Sequence, residues 1–114
     1  MARKFSWKTT VTFLLAAFFF VGAIGNFSPP EQIVTEYANW GYPSWFHNVT
    51  GAFELAAAGL LMIRRTRFLG GMTGAIPMVG AGVTLILHGA YAHALAPLTV
   101  LLVCVAVCHM YKSP

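Results

Sequence analysis

TTVTFLLAAFFFVGAIGNF, residues 9–27, carries no charged side chain. As a helix rising about 1.5 Å per residue, this run spans a hydrocarbon core about 30 Å thick with little to spare. Lipid is the solvent such a run calls for. Its basic start and its length also suit a signal peptide. Val21-Gly22-Ala23 is a poor cleavage site, however, so the expectation is an uncleaved first span.

Working outward, the rest of the chain repeats the pattern. Of its 114 residues 58% are apolar and 9% charged, against about 25% charged in an ordinary soluble domain, and the mean hydropathy is +0.70. A water-soluble fold of this length buries too small a share of its surface to hide so much apolar material. Three further spans are expected at about 44–63, 68–88 and 95–111. Together they give an all-α integral membrane protein, a four-transmembrane-helix bundle forming a single domain over residues 1–114. Pro77 falls inside the third span, where a membrane helix tolerates it with a kink. A short turn, Gly89 to Ala94, makes the last two spans antiparallel neighbours.

The one substantial polar segment is Ser28 to Pro43. Ser28-Pro29-Pro30-Glu31 has the pattern of a helix start, with Ser28 as N-cap and proline in the first turn. Ile33, Tyr37 and Trp40 follow at i, i+4 and i+7, and Gly41 ends the helix. With Trp40, Tyr42 and Trp45 around it, this short helix is expected in the extracytoplasmic headgroup zone.

The cations set the orientation. They fall in two groups, Arg3/Lys4/Lys8 and Arg64/Arg65/Arg67, with Lys112 alone near the end. An N-terminus inside places all seven on the cytoplasmic side and leaves Glu31 and Glu36 outside. The expectation is a multi-pass cell-membrane protein with both termini cytoplasmic. The net charge of +4 forms no continuous basic face, which argues against nucleic acid and leaves the lipid bilayer as the partner.

Glu54, near the middle of the second span, is the first candidate for chemistry. A carboxylate at the bilayer centre costs several kilocalories per mole, so it is protonated, paired or facing a wet cavity. It reads equally as a functional site and as a hydrogen bond that pins helices. His47 lies two turns earlier on the same face, with Thr50 and Gly51 between. A rise of about 10 Å separates His47 from Glu54, so they frame one cavity more readily than they ligate one metal. His88 and His93 extend this candidate polar site toward the outer surface, though their spacing is not that of ligands, and no metal site is expected.

Cys104 and Cys108, one turn apart on the fourth span, have awkward geometry for a disulfide and the wrong spacing for c-type haem attachment. They read as small packing residues. Gly70, Gly74, Pro77, Ala81, Thr84 and His88 recur at helical spacing along the third span, and His47, Gly51, Glu54 and Ala58 along the second. Such small-residue faces let helices approach closely. The two stripes are expected to meet each other or a neighbouring subunit, with Glu54 in the seam and the first and fourth spans as lipid-facing walls. The sequon Asn48-Val49-Thr50 lies at the membrane boundary, where glycosylation is not expected. Aspartate is missing from the chain, and no phosphate-binding glycine loop, zinc pattern or Ser-His-Asp set is present.

Gly41-Tyr42-Pro43 before the second span, Gly51-Ala52-Phe53-Glu54-Leu55 within it, Leu60-Leu61 before the basic turn, and a glycine-rich third span with its late His88 form a pattern that resembles the DoxX-like family of small four-span membrane proteins. The resemblance covers most of the chain in layout and implies a four-helix membrane bundle with an extracytoplasmic loop helix. Some relatives are tied to thiosulfate or quinone-linked redox chemistry and oxidative-stress complexes, and distant animal relatives assist the assembly of membrane proteins. No catalytic residue set carries over, although Glu54 matches the family pattern.

Three functions are compatible with these features. One is a small accessory or assembly subunit, docking on other membrane subunits or on copies of itself as a homo-oligomer, in a redox context. The second is a quinone-linked oxidoreductase component. No haem, flavin or iron–sulfur ligands are evident, so its electrons would come from a partner subunit. The third is an oligomeric transporter of protons or small molecules.

Overall fold

The computed structural model describes residues 6–112. Arg3 and Lys4, two of the cations that set the orientation above, lie outside the described residues. The described chain is helical: α1 (Trp7–Phe27), α2 (Glu31–Asn39), α3 (Phe46–Met62), a 3-10 turn (Arg64–Thr66), α4 (Arg67–Leu87) and α5 (Tyr91–Met110). Three stretches are long and apolar enough to cross a membrane: Trp7–Phe27, Arg64–Leu87 and Tyr91–Met110. At 17 residues α3 is shorter, about 25 Å at helical rise.

Two boundaries differ from expectation. Ser28 is not the N-cap of α2. It closes α1 instead, its amide donating to the Ile24 carbonyl at 3.0 Å, and α2 starts from Pro30 without a side-chain cap. A serine beside two prolines suits either helix end, and here the preceding helix takes it. The turn into the last helix is also shorter than Gly89 to Ala94. Gly89 takes φ +76°, which reverses the chain tightly, and the Ala94 amide already bonds the Ala90 carbonyl at 3.1 Å. Tyr91 and His93 are thereby drawn into the first turn of α5. Gly41, at φ +86°, does follow α2 as expected.

Arg67 gathers one end of the bundle. Its Nε donates to the Leu61 carbonyl at the end of α3 (2.9 Å) and its Nη1 to the Tyr111 hydroxyl just past α5 (3.3 Å). Its Cζ lies 5.3 Å from the ring centre of Phe13 on α1. At the other end His47 meets the Asn26 carbonyl at 2.7 Å, and the Tyr42 hydroxyl pairs with Thr84. The four long helices therefore alternate in direction. α3 packs between α1 and α4, and α4 packs on α5.

This arrangement corrects two expectations. α1 is not a mere lipid wall, because Leu15, Ala16, Phe19 and Ala23 are buried and Phe19 is wholly enclosed. Nor do the two small-residue stripes simply face each other. A Cβ added at Gly74 would lie 2.4 Å from the Phe19 ring of α1, one at Gly70 2.8 Å from Leu61 of α3, and one at Gly71 2.7 Å from the Cys108 sulfur of α5. On α3, Gly51 lies against Asn26 and Phe27 of α1, while Ala58 belongs to the buried core. A central helix has neighbours on two sides, so its narrow face serves α1 while its flank serves α4. Cys104 is fully buried and both cysteines are free, consistent with a packing role.

Candidate functional site

Phe19 seated on Gly74 holds α1 and α4 together midway along the bundle. Beyond that contact, toward the end away from the arginines, both helices line a cavity of about 940 Å³. Gly22, Gly25 and Asn26 come from α1; Ile76, Pro77 and Gly80 begin the α4 wall. Phe46, Val49, Thr50 and Phe53 of α3 also line it, and α2 brings Ile33, Tyr37 and Trp40 over it. The i, i+4, i+7 face of the short helix is thus turned to this cavity.

The aromatic residues form one cluster. Tyr42 and Phe46 stack with ring centres 4.4 Å apart and planes within 8°. Tyr37 lies 5.7 Å from Trp40, 6.0 Å from Tyr42 and 6.1 Å from Phe46, and Trp40 is 5.9 Å from the His88 ring. Burial pushes the Tyr37 phenol above its ordinary pKa, opposed by a hydrogen bond with the Thr50 side chain. The Tyr42–Thr84 hydroxyl pair ties the segment between α2 and α3 to α4.

Behind this wall sits Glu54, 4% exposed. Its Oε1 accepts from the Asn26 amide at 2.7 Å, and the same amide donates to the Gly22 carbonyl at 3.0 Å. A Cβ on Gly22 would lie 2.9 Å from both carboxyl oxygens, closer than real side chains come, so the glycine makes room for the acid. The Asn26 backbone carbonyl meets His47 Nδ1. His47 and Glu54 therefore bracket one asparagine. That asparagine lines the cavity, as does Gly22, so the acid stands one residue behind the wall. The arrangement keeps a carboxyl group next to an apolar chamber.

The five expected polar residues are thus divided. Thr50, His88 and His93 line the cavity, His88 with its Nδ1 bonded to the Thr84 carbonyl at 2.8 Å. His47 and Glu54 meet on Asn26 behind it. Ala81 also lines it. The small-residue stripes point to a site between the second and third spans; Glu54 instead faces α1, where Gly22 and Asn26 surround it. Asn26 did leave a signal, as the one polar residue after Thr12 in an otherwise apolar run. Among the described residues no group of three or more His, Cys, Asp or Glu could hold a metal ion.

No curated protein and no solved structure matches the chain. A family model does match, over residues 10–107, a stretch that takes in the cavity, Glu54 and all but the ends of the bundle; the chain belongs to the DoxX-like family.

Proposed function

We propose that this protein is a four-span membrane subunit that holds a hydrophobic, ring-bearing ligand of the quinone class beneath α2, in the service of a larger redox assembly. The observation that carries this reading is the cavity of about 940 Å³. Aromatic and aliphatic walls with a few convergent polar groups are what a ring-sized ligand needs. The faces of Tyr37, Trp40 and Phe46 offer stacking surface. Thr50, the Tyr42–Thr84 pair and His88 offer hydrogen bonds to ring oxygens. Glu54, behind Gly22 and Asn26, is the group that would exchange a proton with the chamber. Electrons would come from a partner subunit, which makes the chain an accessory component.

The crossing count rests on α3. It runs antiparallel between α1 and α4, and if those two cross the bilayer the chain returns through α3. Lys8, Arg64, Arg65, Arg67 and Lys112 share one end of the bundle, and Glu31 and Glu36 lie toward the other. The excess of cations supports a cytoplasmic location for the first end and for both termini. In that orientation α2 lies at the outer interface.

Purification from native membranes, followed by solvent extraction and mass spectrometry, tests the ligand. A bound quinone is expected, and Gly80→Trp should lower its content about tenfold, equivalent to about 1.4 kcal/mol. Position 80 lines the cavity and has open space around it. Quinone at the level of a detergent blank, or unchanged in the variant, would sink the reading.

The docking role also has an observation in its favour. Ala52, Ala56 and Gly59 lie at i, i+4 and i+7 on α3, all exposed, and a Cβ at Gly59 meets nothing within 4 Å. Such a smooth face suits a neighbouring helix. If it is used, Ala56→Trp should release the protein from a larger native complex while leaving its quinone content intact.

A further inference from the structure

Far from the cavity, at the arginine end, Arg67 presents an electrostatic problem. It is 6% exposed, yet no carboxylate is among its partners in the described residues. The chain's three acidic side chains are elsewhere: Glu31 and Glu36 on α2 at the opposite end, and Glu54 against Gly22 and Asn26. A buried cation without a counter-charge is costly. The protein offsets this in part with one backbone carbonyl, the Tyr111 hydroxyl, and the rings of Phe13 and Tyr111, both 5.3 Å from Cζ.

Those contacts do not saturate the group. A guanidinium has five N–H donors, and here one on Nε and one on Nη1 are used. Nη2 has no partner among the described residues, and no fully buried side-chain nitrogen there lacks one, so Nη2 is accessible to a further acceptor. Arg64 adds a second guanidinium, its Cζ 6.0 Å from the same Tyr111 ring. Arg64 itself is exposed. Two cations thus share one phenol, and one of them keeps the N–H groups of its Nη2 for a further acceptor. Those donors suit the oxygens of a phosphate group.

We propose that Arg67 and Arg64, both against Tyr111, form a binding site for a phosphate-type oxyanion, which supplies a counter-charge that the described residues at this end of the bundle lack. A lipid headgroup and free phosphate present the same chemistry. Exposed apolar side chains in the same turns of chain, Leu69 two residues beyond Arg67 and Leu14 next to Phe13, would accommodate acyl chains if a lipid is the source. The site is independent of the cavity and of its ligand.

Native mass spectrometry of the full purified chain, with added dioleoylphosphatidylglycerol or dioleoylphosphatidylcholine, is the test. Retention of the anionic lipid over the zwitterionic one by about tenfold is expected, falling toward parity in Arg64→Gln. Arg67→Lys keeps the charge but loses the planar guanidinium and its Nη2 donors, and is expected to lower retention as well. In parallel, millimolar inorganic phosphate is added to the detergent-solubilised protein. If it raises the unfolding temperature and displaces the lipid, the oxyanion is free phosphate; if only the lipid is retained, it is the headgroup. Equal retention of both lipids without stabilisation by phosphate overturns the site. So does a preference that survives unchanged in both variants. Because Arg64 is exposed, its variant tests the site without emptying the core.

Discussion

The Asn26 side-chain amide has two acceptors, the Glu54 carboxyl and the Gly22 carbonyl, and its backbone carbonyl has His47. Replacing it with leucine leaves a buried carboxyl group with no side-chain partner. Such a loss costs about 1–3 kcal/mol, so Asn26→Leu should lower stability in detergent by that amount. In a Glu54→Leu background the same substitution should cost much less, because the acid that needed the amide is gone. A double-mutant cycle by equilibrium unfolding measures the difference, and additive costs would argue against the pairing. Glu54 stood out in the sequence because an acid inside an apolar run is conspicuous. Its partner was less conspicuous, for two reasons. Asparagine at the end of a helix reads as a terminus residue, and nothing local announces a bond to a side chain 28 positions away.

At the scale of elements, the glycines of the core and of the surface should behave oppositely. Gly74→Ala drives a methyl group to within 2.4 Å of the Phe19 ring, and overpacking of this kind costs about 1–3 kcal/mol. Gly59→Ala meets open space and gains up to about 1 kcal/mol of helix propensity. Thermal unfolding of the two variants in one detergent should show the first below the parent protein and the second at or above it. The apolar runs, the basic turn and the glycine after α2 were legible because each depends on neighbouring residues alone. The role of α1 was not. Its residues are apolar on every side, and a helix without a polar face does not reveal which side meets protein and which meets lipid. The early start of α5 was hidden for a related reason: Tyr91 and His93 are polar enough to pass for loop, although Gly89 lets them join the first turn.

For the whole molecule, the alternation of four helices makes a topological prediction. Cysteine at Gln32 in α2 should react with a membrane-impermeant maleimide from outside intact cells, whereas cysteine at Arg65 should react only after permeabilisation. Cys104 is buried and Cys108 half-buried, so the native thiols add little background. Both sites labelled from the same side would refute four crossings. The bundle also imposes an order in time. A ribosome releases α1 well before α3, so Gly22 and Asn26 are in place before their acid exists. When α3 arrives, short and carrying Glu54, the notch and the amide that receive it are already made. The first helix is in this sense a template for the third, and its apolar face has to remain within reach of the insertion site until the acid is delivered.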